Sequence, residues 1–228
     1  MKRIFLPILL LAFASTCALA APCLSGSLQS YVNLGATGCE VGAVNFSNFM
    51  TSSGITGATP LDPGVVQVTP GGSFLTPTLT LVTNTSAATG DLFDLLLEFR
   101  AGGALLSYGF ITLNSPTATG DAAVSGFLDI CRGGNFAGPG PVGCSGSAVS
   151  ALTVEIADFA QLSDFTPTGP VSSFFDVFVE LSVDGASNGS ASLPSGTVGI
   201  AAVPEPSTTL LVCAVLAGTV AIRRRRNR

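Results

Sequence analysis

The chain has 228 residues, of which 47% are hydrophobic and only 10% charged, and it contains no histidine and no tryptophan. The lack of histidine excludes Ser-His-Asp and Cys-His catalysis and removes the commonest metal ligand. Between residues 21 and 222, two arginines stand against 14 acidic residues, a formal balance of −12 that repels phosphate backbones and excludes nucleic acid as a partner.

The first 20 residues have the pattern of a cleavable secretory signal. Lys2 and Arg3 give a basic start, and an apolar stretch follows from residue 4 to residue 14. Ala18 and Ala20 then place small side chains where a signal peptidase requires them. We predict a signal peptide at residues 1–20, with Ala21 as the first residue of the exported protein. An uncleaved N-terminal anchor is the alternative, and the short apolar run disfavours it.

Residues 21–202 are predicted to form one all-β ectodomain, a single β-sandwich or jelly roll. Apolar and polar residues alternate, so that Phe93, Leu95 and Leu97 share one face of a strand. Clusters of Gly, Pro, Asn and Ser separate such segments, as in sandwich folds. A short helix is predicted at 27–34. Strands are predicted at 65–69, 74–82, 92–100, 104–113, 122–131, 148–157, 174–183 and 189–200.

The acidic residues on these strands are predicted to form a solvated sheet face. Asp94 and Glu98 are four residues apart, as are Asp176, Glu180 and Asp184. On one strand this spacing separates two carboxylates by about 13 Å, at ~3.3 Å per residue. That distance is too long for a catalytic pair. The sequence therefore predicts a protein that is not an enzyme, with no cofactor and no metal site.

The cysteines predict disulfides. Cys17 lies in the signal peptide and Cys213 in an apolar run, which leaves four candidates: Cys23, Cys39, Cys131 and Cys144. An even set in an oxidising compartment favours disulfides, of which nearest neighbours would be Cys23–Cys39 and Cys131–Cys144. Four cysteines allow three pairings, and the sequence does not choose among them. Zinc is the competing interpretation, disfavoured because there is no histidine and no Cys-x-x-Cys spacing.

Residues 203–228 combine three features in a fixed order. The first is an extended, proline-bounded peptide at 203–207: Val203, Pro204, Glu205, Pro206 and Ser207. The second is an uncharged run at 208–222, predicted to be a transmembrane helix; as a helix it spans roughly 22 Å, against ~30 Å of bilayer hydrocarbon. The third is a basic tail at 223–228, with Arg223, Arg224, Arg225, Arg226 and Arg228. Basic flanks stay cytoplasmic, which places the ectodomain in the periplasm.

The segment VPEPSTTLLVCAVLAGTVAIRRRR resembles the PEP-CTERM sorting signal, which occurs on exported proteins of Gram-negative bacteria that make extracellular polysaccharide. The resemblance implies recognition by an exosortase, a membrane-embedded cysteine protease, and cleavage near Pro204, Glu205 and Pro206. It also implies a transient inner-membrane anchor, followed by transfer to the cell surface or extracellular matrix. The segment 27–49 is similar to the opening of many PEP-CTERM ectodomains, with Tyr-x-x-Leu-Gly at 31–35, Cys-x-x-Gly at 39–42 and Phe-Ser-Asn-Phe at 46–49.

These features favour a structural or interaction protein of the cell surface or matrix, associated with exopolysaccharide. The alternative is a carbohydrate-binding module that engages the exopolysaccharide directly. Sugar-binding platforms commonly use Trp or Tyr, and the chain has only Tyr31 and Tyr108. An exported hydrolase is the third interpretation.

Overall fold

The computed structural model describes residues 20–52, 56–138 and 140–204. Within these ranges the chain forms one short helix and fourteen strands. The helix α1 is Leu28–Val32. The strands are β1 (Gly26–Ser27), β2 (Cys39–Val41), β3 (Val44–Ser52), β4 (Thr59–Pro60), β5 (Gln67–Gly72), β6 (Pro77–Ala87), β7 (Leu92–Asn114), β8 (Thr117–Thr119), β9 (Ala123–Arg132), β10 (Ser147–Ile156), β11 (Phe159–Gln161), β12 (Ser163–Phe165), β13 (Ser172–Asp184) and β14 (Ser190–Val203).

The all-β class predicted from alternation is confirmed. β6 shows the reason, because its side chains alternate between buried and partly exposed along the strand, with Leu79 and Leu81 inside. In β13 the apolar series Val177, Val179 and Leu181 is buried in the same way. Among the described residues no helix is long and apolar enough to cross a membrane, and the predicted span at 208–222 lies outside them.

The segments predicted as separate strands at 92–100 and 104–113 form one continuous strand, β7. Gly103 lies at the junction with a φ of 88°, a conformation that glycine adopts without steric cost. Before this point β7 pairs with β3, β4 and β13. After it β7 pairs with β14 and β12, and its Leu106 still pairs with Ser172 of β13. Gly102 and Gly103 therefore let one strand pass from one part of the sheet to the other.

All the strands belong to one hydrogen-bonded sheet that is organised around β7. The main path runs β1-β5-β6-β14-β7-β13-β9-β10-β11. Among the described strands, every pairing is antiparallel except that of β4 with β7. The sheet bends so that β9 faces the second half of β7: a Cβ added at Gly109 would lie 2.5 Å from Ile130 Cδ1. A Cβ at Gly196 of β14 would lie 2.9 Å from Leu181 of β13. One continuous core fills the space between these faces.

The opening motifs at 31–49 have packing roles in this core. Tyr31 contacts Phe49 edge-on, with ring centroids 5.2 Å apart, and Phe49 stacks on Phe99 at 5.4 Å. Asn48 has a φ of 55°, which asparagine tolerates better than most residues. The backbone N–H of Asn48 donates to the Gly35 carbonyl at 2.8 Å. This conformation interrupts the register of β3 against β7 and sends Phe49 inward.

Candidate functional site

The sorting peptide leaves the fold directly from a paired strand. β14 ends at Val203, which pairs with Leu105 of β7, and the amide of Ala202 donates to the Leu75 carbonyl at 2.8 Å. Pro204 follows at once and is the last described residue. Glu205, Pro206, Ser207 and the arginines at 223–228 lie outside the described residues. The proline-bounded peptide thus begins with no linker between it and the sheet.

The segment after the predicted signal-cleavage point is held at the same place. The backbone amide of Glu40 donates to the Ala21 carbonyl at 2.9 Å, and its carbonyl accepts from the Cys23 amide at 2.9 Å. The Glu40 carboxylate accepts from the Ala20 amide at 3.3 Å. Ala18 lies outside the described residues. Glu40 also borders a groove with Val203 and Pro204, so both ends of the domain meet at one pole.

We call this region the tail-exit pole, defined by residues 20–23, Glu40, the turn 73–76 and residues 203–204. Its groove has a volume of about 600 Å³ and a mostly apolar lining that includes Ala43, Phe74, Leu75 and Ala104. Phe74 is 69% exposed. Its backbone is nevertheless fixed, because the carbonyl of Phe74 accepts from the Ala43 amide at 2.9 Å. The pole therefore combines the chain's exit point with a rigidly held apolar turn.

A second site lies on the outer face of β7 and β13. The register places Arg100 opposite Asp176 and Glu98 opposite Phe178, so Glu98 and Asp176 are diagonal neighbours on adjacent strands. The prediction of a solvated face is wrong here, because Asp94 is 0% and Asp176 8% exposed. The spacing argument considered only carboxylates of one strand and missed this cross-strand pair. Strand pairing was the missing signal.

The loop between Cys131 and Cys144 explains the burial of Asp176. Phe136 packs against Cys131 and Phe178 in a small apolar cluster separate from the main core. The Phe136 amide donates to Asp176 Oδ2 at 3.0 Å. The loop therefore folds back over the sheet and removes the Asp176 carboxylate from water.

Between this loop and β3 lies a groove of about 450 Å³, which we call the carboxylate groove. Its polar lining consists of Asn48, Glu98, Arg100, Asn135 and Asp176. Burial raises the pKa of Glu98, and the neighbouring charge of Asp176 raises it further. Burial also raises the pKa of Asp176, against the Phe136 hydrogen bond and the charge of Arg100. The groove thus offers amide, guanidinium and carboxyl groups that converge on one space.

A second set of carboxyls lies further along the same face. Burial raises the pKa of Glu180, with contributions from the charges of Asp94 and Asp129. Burial likewise raises the pKa of Asp129, while a hydrogen bond from Ser150 opposes the shift. Within the described ranges, no group of three or more His, Cys, Asp or Glu residues is arranged to hold a metal ion.

The two arginines of the domain make internal contacts. Arg100 donates to the side-chain oxygen of Asn135, and its guanidinium lies 4.7 Å from the centre of the Phe174 ring. Arg132 is 7% exposed and donates to the Pro167 carbonyl. Burial lowers the pKa of Arg132 from its ordinary value.

The predicted disulfides are present. Cys23 pairs with Cys39, with Cα atoms 4.8 Å apart, and Cys131 pairs with Cys144 at 5.5 Å. Of the three possible arrangements, the structure therefore has the nearest-neighbour one. One disulfide fixes the tail-exit pole, and the other fixes the loop over the carboxylate groove.

Comparison with known proteins identifies the tail. Residues 202–226 match the family model of the PEP-CTERM protein-sorting motif. No curated protein and no solved structure matches the chain. The chain therefore carries a PEP-CTERM sorting signal, which overlaps the last two residues of β14 and continues beyond the sheet. Such a signal indicates an exported protein that is sorted at a membrane by an exosortase.

Proposed function

We propose that this exported protein is a structural or interaction component of the cell surface or extracellular matrix, associated with exopolysaccharide and without enzymatic activity. Its mature part is the acidic all-β domain, held by its tail at the inner membrane until an exosortase cleaves it. The observation that carries this proposal is the PEP-CTERM match, which begins where β14 leaves the sheet. The arrangement lets a protease reach the proline-bounded peptide while the whole sheet stays folded.

The hydrogen bonds made by aspartates in and beside the loops support a structural role. Several of these aspartates hold turns through their side-chain oxygens. Asp62 accepts from the Gly64 amide at 2.8 Å, and Asp184 accepts from the Ala186 amide at 2.7 Å. Asp121 accepts from the Ser187 hydroxyl at 2.6 Å and from the Asn188 amide at 2.7 Å. These carboxylates stabilise the connections between strands, which accounts for them without any catalytic role.

The test is mass spectrometry of the extracellular protein from a bacterium with an exosortase and from its exosortase-deletion strain. We expect a product without the block Arg223–Arg226 in the first strain and an uncleaved precursor in the second. Pro206→Ala should slow this processing, because it loosens the extended peptide. Pro194→Ala, at an exposed position of β14, is the matched control and should be processed normally. An intact tail on all extracellular material would rule out the processing step.

The carboxylate groove favours a second candidate function, a carbohydrate-binding module. Its amide, carboxyl and guanidinium groups are of the kind that hydrogen-bond to sugar hydroxyls, and Phe136 and Met50 add apolar surface. We expect Glu98→Gln and Asp176→Asn to reduce binding on a glycan array, while Asp158→Asn, at an exposed position outside the groove, leaves it unchanged. Absence of binding to any exopolysaccharide fragment would rule out the carbohydrate-binding module and favour the structural role.

A further inference from the structure

The distance between the folded domain and the proposed membrane span is very short. Four residues, 204–207, separate the end of β14 from the apolar run that begins at Thr208. Fully extended, they reach at most about 14 Å, at ~3.3–3.6 Å per residue. The headgroup layer of one leaflet takes up roughly 5–7 Å of this reach, since a bilayer is ~40–45 Å thick around a ~30 Å hydrocarbon core.

The apolar run draws the domain still closer to the lipid. As a helix, its fifteen residues span roughly 22 Å, less than the hydrocarbon thickness. A short span is accommodated when the bilayer thins and when its flanking residues move towards the hydrocarbon. The linker therefore leaves at most about 7–9 Å between the tail-exit pole and the headgroup surface, so the pole is the part of the domain nearest the lipid whenever the tail is inserted.

The pole presents exposed apolar side chains at this position. Phe74 is 69% exposed, at the tip of a turn closed by reciprocal backbone hydrogen bonds between Ser73 and Thr76 at 3.1 and 3.2 Å. The next residue, Leu75, accepts the hydrogen bond from Ala202 near the end of β14. Leu24 is 76% exposed and follows Cys23 of the same pole. A phenylalanine held rigidly in water, beside the point where the chain reaches the membrane, is explained if lipid covers it.

We propose that the tail-exit pole is a lipid-contact surface, and that Phe74 inserts into the headgroup region of the outer leaflet of the inner membrane. This inference rests on the proposed function, since it requires the tail to anchor the chain. The described part of the pole has no basic residue and contains Glu40, so apolar contact rather than attraction to anionic lipids holds it there. The tail keeps Phe74 at a high local concentration near the bilayer. One aromatic side chain cannot retain the domain once the tail is cut, so cleavage also releases the domain.

The test uses the lack of tryptophan in the chain, so that Phe74→Trp introduces a single tryptophan, which can be excited selectively. Phe159→Trp is the matched control. Phe159 is 52% exposed and pairs with Ile156, at the end of the sheet where β7 begins. From Leu92 to Gly102, next to the pole, β7 advances ten residue steps, which is about 33 Å at ~3.3 Å per residue. Both variants, spanning residues 21–228, are reconstituted in phosphatidylethanolamine–phosphatidylglycerol vesicles that contain lipids brominated near the headgroup.

We expect both variants to float with the vesicles, the emission of Phe74→Trp to shift to the blue and lose most of its intensity, and that of Phe159→Trp to remain unchanged. Protein that does not float would overturn the membrane anchor and, with it, this inference. Protein that floats with an unquenched Phe74→Trp would overturn the inference alone. Quenching of both variants would mean unspecific adsorption and would also count against it. Shielding of Phe74→Trp from aqueous iodide, without quenching by brominated lipid, would assign the pole to a second copy of the chain.

Discussion

Removal of the Cys131–Cys144 disulfide is the most informative perturbation of this fold, because it separates the stability of the sheet from the order of the loop above it. The double variant Cys131→Ser/Cys144→Ser avoids leaving a free thiol. The two cysteines are 13 residues apart. In the chain-entropy model, opening a loop of this size costs about 3 kcal/mol of unfolding free energy. The same model gives about 3 kcal/mol for Cys23–Cys39, with a separation of 16, so that pair is a matched control.

For a domain of this size, each kcal/mol corresponds to roughly 2–4 °C in Tm, so both double variants should melt roughly 6–12 °C below the wild type. The two double variants should lose order in different parts of the domain. Opening Cys131–Cys144 frees Phe136 from Phe178, and the Phe136 amide should then lose its protection against hydrogen exchange, because its partner is Asp176. Opening Cys23–Cys39 should leave that amide protected.

Circular dichroism gives the Tm, and hydrogen exchange with mass spectrometry reports the loop. Mass spectrometry must first show the Cys131–Cys144 bond in the wild type. If the bond is present and its removal lowers Tm by less than about 2 °C, the loop-entropy reasoning fails, since so small a shift corresponds to roughly 1 kcal/mol or less. If the Phe136 amide stays protected, the loop is held over the sheet by its own contacts and not by the disulfide.

Two further predictions concern the same face. Burial raises the pKa of Glu98, Asp129, Asp176 and Glu180, so the folded protein binds protons more tightly than the unfolded chain, and the free energy of unfolding should fall as pH rises through the raised values. Thermal melts should therefore give a higher Tm near pH 4, close to the ordinary pKa of carboxyl groups, than near pH 8. Asp176→Asn should reduce this difference, whereas an equal pH dependence in the variant would contradict the prediction. In the loop, Gly134→Ala should destabilise by about 1–3 kcal/mol, because its Cβ would lie 2.3 Å from the Gly146 amide nitrogen. Gly138→Ala, whose Cβ would have no atom within 4 Å, should leave the free energy of unfolding unchanged. Urea denaturation measures both variants, and equal losses of unfolding free energy would count against this packing.

The sequence predicted most of the sheet, because alternation is a local signal. The segment 174–183 lies within β13, and 122–131 matches β9 to within one residue. The strand β3 was not predicted, because the left-handed Asn48 interrupts its alternation. Short strands such as β2 and β4 have too few residues to show a period. The strands predicted at 92–100 and 104–113 left a break between them, whereas Gly102 and Gly103 lie within one continuous strand that passes from one pairing to the next.

The carboxylate groove could not be predicted, because it depends on register and on a loop far away in the sequence. Glu98 and Asp176 are 78 residues apart, and only the pairing of β7 with β13 makes them neighbours. Their burial depends in turn on Phe136, which belongs to neither strand. A polar residue facing outward on a strand is exposed only if nothing covers that face. The sorting tail was predictable for the opposite reason, since its order of features is entirely local.

The position of β14 also restricts where the exosortase can cut. β14 lies between β6 and β7, and its last residues, Ala201 to Val203, are paired with β7. Cleavage before Val203 would remove paired residues from the centre of the sheet and leave the buried Ala202 region without its partner strand. Pro204 donates no backbone hydrogen bond, so the ladder ends there in any case. A cut between Pro204 and Ser207 therefore leaves the sheet complete. A cut further upstream would first require the end of β14 at the tail-exit pole to separate from β7. The pairing of β14 thus disfavours cleavage within the strand relative to cleavage after Pro204.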